Sequence, residues 1–287
     1  MICDLCPRQC AAVRGEKNGD GYCALGTLPK IARIAPHYWE EPCISGTKGS
    51  GAIFFSGCTL RCVFCQNYEI SANGKGRYIT PAQLSEEIKK LEASGTHNIN
   101  LVSPTPFVAA ILEAFEIYKP KIPIIYNCSG YEKVETLKKL EGVVDVYLPD
   151  FKYSDDNMAL NFSGAKNYTD TALTAIGEML RQTKTAEYDD DNMMTRGTII
   201  RHLVLPNHTK NSIDALKLLA ESFDSPLVSL MCQYIPCGKA KDTPGLNRKI
   251  TKREYEKVKN ALFELELDGF VQDLSSADEK YIPVWNY

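Results

Sequence analysis

After residue 50 the chain alternates six times between a short apolar run typical of a buried strand and a longer segment with helical periodicity. The first helix is expected to begin with Thr80 as its N-cap and Pro81 at its first position. Strands that alternate with helices in this way form parallel sheets through right-handed crossovers. Six units are too few to close an eight-strand barrel, so the predicted fold is α/β, a partial (β/α)6 barrel with its chemistry at the carboxyl ends of the strands. The predicted strands lie at 52–55, 99–102, 122–126, 143–148, 198–205 and 227–234.

Residues 1–50 lack this alternation and instead contain many glycines and prolines together with a group of cysteines. A segment of that composition buries too little apolar surface to fold alone, and a bound metal ion often stabilises small segments of this kind. We therefore predict two parts. A cysteine-rich, metal-bound extension covers 1–50, and the barrel covers 51–287.

The composition excludes some classes of partner. The net charge is −3 at pH 7, so a basic surface for nucleic acid is not expected. No apolar stretch reaches the length of a membrane span, and the first residues lack the basic and then apolar pattern of a secretory signal. We expect a cytoplasmic protein without a membrane partner. Its eleven cysteines should stay reduced and serve metal binding or chemistry rather than disulfides.

Three of these cysteines stand in a short loop after the first predicted strand. Cys58, Cys62 and Cys65 follow a Cys-x3-Cys-x2-Cys pattern. Iron–sulfur clusters are usually held by four cysteines, so a set of three leaves one iron of a cubane open for another ligand. The alternative is a zinc site that only staples the loop, with Cys43 or Cys128 as its fourth ligand.

The loop resembles the signature of the radical S-adenosylmethionine superfamily. The resemblance extends along most of the chain to a group similar to pyruvate formate-lyase activating enzyme that carries an N-terminal cysteine cluster. It rests on the segments 3–10, 40–46, 51–67, 201–206 and 231–234.

This resemblance implies a radical-forming enzyme with the partial barrel typical of that superfamily. Its cofactors would be a [4Fe–4S] cluster on the three loop cysteines and S-adenosylmethionine bound at the open iron. Reductive cleavage would produce a 5′-deoxyadenosyl radical that abstracts hydrogen from the substrate, while the protein orients the reactants and excludes water. The implied partners are a low-potential electron donor such as flavodoxin or ferredoxin and a glycyl radical enzyme to be activated.

The resemblance also implies cofactor contacts near the first two strands. Phe64 matches the aromatic position that touches the adenine. The Gly-Gly-Glu segment that binds the methionine amino group in the activating enzymes is replaced by a segment with Ser103 and Thr105. Their hydroxyls and a carbonyl could bind the cofactor, although the neighbouring prolines remove backbone donors. The same segment also reads as a turn before the next helix.

Polar residues after the later strands complete the predicted cofactor site. Asn127 and Ser129 could reach the ribose or the methionine carboxylate, or could instead satisfy backbone groups at the strand end. Asp150 and Lys152 match the Asp-x-Lys pair near the cofactor in activating enzymes, and their spacing points both side chains the same way. Arg201 lies within a strand, where a charge needs a partner, and its guanidinium suits the cofactor's carboxylate.

The cysteines of the extension form a second group. Cys3, Cys6, Cys10 and Cys23 provide four ligands, which suits a complete metal site. Either zinc or a second iron–sulfur cluster agrees with their spacing.

Three functions are compatible with these patterns. The first is an activating enzyme for a glycyl radical partner, and the second is a radical enzyme that acts on a small molecule or another macromolecule. The third is a metal-binding or electron-transfer protein without catalysis. A cofactor-induced change in the spectrum of the reduced cluster would distinguish the first two from the third.

Overall fold

One sheet runs through the structure, a computed structural model that describes residues 2–283 and residue 285. Residues 1, 284, 286 and 287, which the predicted ranges 1–50 and 51–287 include, lie outside the described residues. The strands in chain order are β1 (Lys30–His37), β2 (Ser50–Phe55), β3 (Arg77–Tyr78), β4 (Ile99–Val102), β5 (Ile124–Cys128), β6 (Val146–Pro149), β7 (Glu187–Tyr188), β8 (Met194–Leu203), β9 (Leu227–Met231) and β10 (Gly269–Val271).

The strand order confirms the predicted partial barrel. Strands β2, β4, β5, β6, β8 and β9 are neighbours in that order, and each pair is parallel. β10 extends the sheet in parallel beside β9, whereas β1 lies antiparallel to β2 at the other end and carries β3. Within the described part of the chain, β3 and β10 are the ends of the strand path, so the barrel is open.

Helices connect the parallel strands. In chain order they are α1 (Pro42–Ser45), α2 (Tyr68–Ser71), α3 (Pro81–Ala93), α4 (Val108–Ile117), α5 (Val134–Lys138), α6 (Asp156–Ser163), α7 (Tyr168–Thr183), α8 (Thr209–Ser222) and α9 (Lys252–Glu264). The predicted start of α3 is confirmed, because the Thr80 side chain accepts a hydrogen bond from the Gln83 amide and the Gln83 side chain caps Thr80 in return. None of the helices within residues 2–283 combines the length and apolar character that a membrane crossing requires.

Two of the elements that were not predicted from the sequence are β1 and α6. β1 lies before residue 50 and pairs with β2 through residues such as Ile34 and Ile53. Its stability comes from this pairing rather than from a regular apolar alternation, and a register irregularity near Arg33 further blurs the pattern. The short helix α6 lies in the polar stretch before α7, with Asp155 as its N-cap and Gly164 in the left-handed conformation at its end. The domain boundary at residue 50 stays a prediction.

A glycine shapes the carboxyl edge of the sheet between β5 and β6. Gly130 has a φ of +74°, and a Cβ there would clash with the Asp150 carbonyl oxygen. We expect Gly130→Ala to lower the free energy of unfolding by about 3 kcal/mol, since left-handed strain and a backbone clash combine. Urea denaturation measures this loss.

The matched control is Gly142, which has a similar φ of +77° but at which a Cβ would meet no other atom within 4 Å. Gly142→Ala should lose only the strain contribution, about 1 kcal/mol. Equal losses for the two variants would contradict a specific steric role of Gly130.

Candidate functional site

A cavity of about 480 Å³ opens at the carboxyl ends of the parallel strands. Its volume lies within the range of small-molecule sites, about 300–1,000 Å³. The cavity brings together most of the predicted site residues from loops that are far apart in the chain. They are Cys58, Cys62, Phe64, Cys65, Ser103, Asn127, Ser129, Asp150, Lys152 and Arg201.

The cysteine loop follows β2 and is held from two sides. The Val63 amide donates to the Phe162 carbonyl at the end of α6, at 2.8 Å, and the Val63 carbonyl accepts from the Ala240 amide at 3.0 Å. At its start, Gly57 has a φ of +88° and donates its amide to the Ile70 carbonyl at 2.8 Å. Backbone hydrogen bonds to α6, to α2 and to the segment after β9 therefore anchor the loop.

The thiols of this loop are suited to metal ligation. The Leu60 amide donates to Cys58 Sγ at 3.3 Å, and the Ser163 hydroxyl donates to Cys62 Sγ at 2.9 Å. Hydrogen bonds of this kind stabilise cluster sulfurs. Burial raises the pKa of Cys65 to about 12, so the free thiol is protonated and metal binding would release its proton.

The three thiols share one cavity but are not yet arranged for coordination. Among the described residues, no three His, Cys, Asp or Glu side chains are grouped closely enough to hold an ion as they stand. Rotation about the cysteine χ1 bonds moves a sulfur between staggered positions without a change of the backbone. Three thiols in a large cavity, with donors aimed at two sulfurs, fit a cluster with an open iron.

Phe64 forms part of the cavity wall beside the cysteines. Its ring meets Tyr153 edge-on at 6.4 Å between centroids and contacts Phe162 and Tyr234 at similar distances. These contacts fix the ring orientation in an apolar wall. The position agrees with the predicted role of Phe64 against a planar base, which stays a prediction.

Ser103 and Thr105, which follow β4, lie in different surroundings. Ser103 lines the cavity with a left-handed φ of +58°, and its amide donates to the Asn127 carbonyl at 2.8 Å. Thr105 is not among the residues lining the cavity. Its buried hydroxyl donates to Glu132 at 2.9 Å and accepts from Tyr126 at 3.1 Å. The structure therefore places Thr105 in a polar network behind the wall, away from the predicted cofactor contact, because the turn after Ser103 directs the chain into the 3-10 segment Thr105–Phe107.

Asp150 and Lys152 face the cavity together, as their spacing predicts. The Lys152 ammonium lies 2.5 Å from an Asp150 carboxylate oxygen. Burial alone would lower the pKa of Lys152, but the neighbouring Asp150 carboxylate outweighs burial and raises the pKa above its ordinary value. Tyr168 holds this segment, since its hydroxyl donates to the Asp150 carbonyl at 3.0 Å and accepts from the Lys152 amide at 3.0 Å. The pair is a fixed charge pair at the cavity edge.

Arg201 has partners that the sequence analysis did not identify. Its Nη2 donates to Glu40 at 2.6 Å, and its Nε donates to Glu41 at 2.9 Å. Asn100 also donates to Glu40, at 3.0 Å. A buried arginine requires acidic partners, and two adjacent glutamates before a proline were a usable signal for them. The role of Arg201 toward a cofactor carboxylate stays a prediction, and the structure shows Nε and Nη2 engaged with these two carboxylates.

The C-terminal segment covers part of the cavity mouth, which the sequence did not indicate. Gln272, Ser276 and Tyr281 line the cavity, and the Tyr281 ring contacts Trp39 with 4.7 Å between centroids. The segment thus joins the loop after β1 across the opening. Together they narrow access to the cysteine loop.

The cysteines of the N-terminal extension lie outside this cavity. Cys3, Cys6, Cys10 and Cys23 line a separate, much smaller cavity of about 20 Å³. The sequence grouping of these four residues is thus matched by their proximity in space, and the occupant of the cavity stays a prediction.

Residues 52–220 match the family described as the Radical SAM superfamily. The chain is 31% identical over 266 residues to the uncharacterized protein MJ0674 of Methanocaldococcus jannaschii, and the match covers 89% of this chain and 72% of that protein.

Solved structures with the same fold were also found. Methylornithine synthase PylB is 17% identical with a TM-score of 0.51, covering 76% of this chain and 65% of its own. SuiB of Streptococcus suis, solved with S-adenosylmethionine bound, is 12% identical with a TM-score of 0.51, covering 77% and 50%. HydG, a maturase of the [FeFe]-hydrogenase, is 16% identical with a TM-score of 0.51, covering 78% and 52%. The chain therefore spans one half to two thirds of the length of these structures, and at these identities the likeness shows the fold alone.

Proposed function

The chain belongs to the radical SAM superfamily, and from this membership we propose that it cleaves S-adenosylmethionine reductively at a [4Fe–4S] cluster to form a 5′-deoxyadenosyl radical. The observation that carries the proposal is the shared cavity of Cys58, Cys62 and Cys65 with the polar strand ends. An electron-transfer protein needs no such enclosed volume beside its cluster.

The chain's own residues have defined tasks in this proposal. Cys58, Cys62 and Cys65 hold the cluster, while Phe64 provides an apolar wall for the adenine. Asn127 and Ser129 present polar groups to the same volume, and the Ser129 hydroxyl has no hydrogen-bond partner among the described residues. A buried donor without a partner is costly, which favours its use by a ligand. The covering C-terminal segment helps to exclude water from the reactive site.

Product analysis tests this proposal. The protein, purified without oxygen and loaded with iron and sulfide, is expected to form 5′-deoxyadenosine from S-adenosylmethionine when a reductant is supplied, and none without it. S-adenosylmethionine should also change the electron paramagnetic resonance (EPR) spectrum of the reduced cluster, even without substrate. If neither product nor spectral change occurs in fully loaded protein, the non-catalytic alternative is correct.

As the substrate we propose a glycine residue of a partner glycyl radical enzyme, with a low-potential flavodoxin or ferredoxin as electron donor. The support is the resemblance to activating enzymes along 40–46 and 51–67. With purified pyruvate formate-lyase as the first partner, a glycyl radical EPR signal and transfer of deuterium from labelled glycine into 5′-deoxyadenosine are expected. Flavodoxin or ferredoxin should replace the chemical reductant in the same assay.

A second candidate substrate is a small molecule. It is favoured by the covered mouth, where Trp39 and Tyr281 meet, because a narrow opening admits a compact substrate more readily than a protein loop. Removal of residues 272–287 distinguishes the two. It should increase glycyl radical formation if a protein loop must enter, and reduce turnover of a small substrate by loss of enclosure.

The charge pair offers a prediction about cofactor affinity. Lys152→Met leaves the Asp150 carboxylate unpaired in a cavity that must accept the cofactor's own carboxylate. We expect the S-adenosylmethionine concentration for half-maximal spectral change to rise about tenfold, the equivalent of one lost charge-assisted bond. Lys152→Arg keeps the cation and is the control. An unchanged affinity in Lys152→Met would contradict a binding role for the pair.

A further inference from the structure

We propose that Cys3, Cys6, Cys10 and Cys23 bind a single zinc ion, which holds residues 2–28 as a clamp on the loop of Cys58, Cys62 and Cys65. We call residues 2–28 the N-terminal clamp. The zinc ion does not depend on the proposed catalytic activity, whereas the clamp rests on the proposed cluster at this loop.

The small cavity between the four cysteines suits one ion. The cavity measures about 20 Å³. Space of about 10–15 Å³ holds one water-sized occupant, so the volume suits a single atom. The large cavity beside Cys58, by contrast, leaves room for many atoms. A closed set of four thiolates around one ion is the usual structural zinc site.

The ligands would need only local movement to close on the ion. All four cysteines are free of disulfides, and no three of them are already at coordinating positions within the described residues. Their side chains border one small space, and rotation about χ1 moves a sulfur without a change of the backbone.

Backbone strain beside the cysteines supports an additional constraint. Gln9 and Ala11, on either side of Cys10, have φ of +46° and +48°, and Ala24, next to Cys23, has φ of +55°. Non-glycine residues seldom adopt this region, and they keep it only where the surroundings hold them there. Metal–thiolate bonds at the adjacent residues would provide that hold.

The N-terminal clamp has little regular secondary structure and a small apolar core of its own. Before β1, pairing within residues 2–28 is limited to isolated bridges such as that between Ile2 and Val13. Its buried apolar side chains are few, and Ala12 and Leu25 are the main ones. Segments of this kind fold on metal binding, because the ion supplies the missing free energy.

The local charges suit a site of four thiolates. Such a site with Zn²⁺ carries a net charge of −2. Arg8 and Arg14 both line the cavity, and the Arg14 guanidinium donates to Cys3 Sγ at 3.9 Å. Two arginines balance this charge. A four-thiolate [4Fe–4S]²⁺ site has the same net charge, so charge does not separate the two occupants and the metal analysis below decides between them.

The N-terminal clamp contacts the loop of Cys58, Cys62 and Cys65 directly. Arg8 donates to the Thr59 carbonyl at 2.7 Å and to the Ser163 carbonyl at 2.8 Å, and it also contacts Gly164. Its guanidinium stacks 3.7 Å from the Tyr22 ring centroid. These contacts fix the backbone between Cys58 and Cys62.

A reciprocal set of bonds joins the loop back to the clamp. The Tyr22 hydroxyl donates to the Leu60 carbonyl at 3.0 Å, and Arg61 donates to the Cys23 carbonyl at 2.9 Å. Arg61 has a φ of +54°. A single hydrogen bond therefore joins the proposed zinc ligand Cys23 to the loop of Cys58, Cys62 and Cys65. Loss of the ion should loosen that loop.

Metal analysis of the full chain tests whether the four cysteines bind a single zinc ion. We expect about one zinc per chain beside the iron, and X-ray absorption at the zinc edge should show four sulfurs at about 2.3 Å. Cys58→Ala/Cys62→Ala/Cys65→Ala should lose the iron and keep the zinc. Zinc-free wild-type protein, or iron–sulfur absorption persisting in the triple variant, would overturn the single-ion proposal. Cys3→Ser/Cys6→Ser should lose the zinc, and its retention there would also overturn it.

Iron release to a chelator without oxygen tests the clamp. Cys6→Ser should accelerate release by about tenfold relative to wild type, as expected when support for a metal ligand is lost. Arg8→Lys should do so with zinc still bound, because lysine cannot bridge the same carbonyls. Cys237→Ser, outside both groups, is the matched control. Unchanged release in Arg8→Lys would overturn the clamp, while the metal analysis decides the ion independently.

Discussion

Cys62→Ala is expected to remove the cluster iron, about four atoms per chain, together with formation of 5′-deoxyadenosine. The loss of activity should exceed about 100-fold, the upper end of effects seen for residues that merely support a ligand. The reason is that Cys62 is buried beside the cavity with a hydrogen bond from Ser163 to its sulfur, and the proposed cluster needs that thiolate as one of its three protein ligands. Iron content, visible absorption and product formation are the measurements.

The matched controls are cysteines outside the loop. Cys128 lines the same cavity and is buried, while Cys43 lies in the short helix α1. Cys128→Ala and Cys43→Ala should each retain the iron and the activity. If either variant loses the iron, that cysteine is a fourth ligand, and the open iron on which the proposed chemistry depends is absent.

Arg201→Met is expected to lower the free energy of unfolding by about 3–5 kcal/mol, the usual cost of removing one partner from a buried ion pair. The side chains of Arg201, Glu40 and Glu41 are only 8%, 11% and 5% exposed. Without the guanidinium, two adjacent carboxylates would remain buried without a counter-charge. Urea denaturation followed by circular dichroism measures the loss.

Two further variants show whether the lower stability of Arg201→Met comes from lost charge pairing or from lost packing. Arg201→Met/Glu40→Gln/Glu41→Gln removes all three charges and should recover most of the stability, because neutral replacements of buried ion groups are tolerated. Arg181 pairs with Glu141 and Glu178 but is 52% exposed, so Arg181→Met should cost much less. A loss in the triple variant as large as in Arg201→Met would indicate packing as the cause.

The same cluster should make stability depend on acid pH. Burial would raise the pKa of Glu41, but Arg201 outweighs burial and holds it below its ordinary value. A lowered folded-state pKa contributes stability at pH above the unfolded value of about 4.3, and this contribution is lost as pH falls through the folded pKa. Wild type should therefore lose stability below about pH 4 more steeply than the triple variant. Parallel pH curves would contradict this.

Local pattern accounts for the parts of the fold that the sequence predicted. The strand 99–102 agrees residue for residue with β4, and Thr80 caps α3 as expected, since apolar runs and capping residues act within a few positions. β5 begins at Ile124, two residues later than predicted. Element ends depend on neighbouring packing and are less local.

For the candidate site, the sequence predicted which residues would lie together: three cysteines in one loop and polar groups after consecutive strands. Parallel topology then brings strand ends to one edge, so Ser103, Asn127 and Asp150 were expected together. Thr105 was expected with them, but the turn after Ser103 directs its hydroxyl into the polar network with Glu132. The left-handed φ of Ser103 belongs to this turn, and the spacing of residues along the sequence does not encode it.

Only the tertiary structure decided the contacts between distant parts of the chain. Arg201 meets Glu41 across 160 positions, Arg8 reaches Ser163 across 155, and Tyr281 closes over Trp39. Such contacts depend on how crossovers and loops fold back, which no local period records. The sequence by itself determined the order of βα units and the two cysteine groups, because those follow from residue type and spacing. Long-range packing decided the rest: which charges pair, which segment contacts the cysteine loop and which segment covers the cavity.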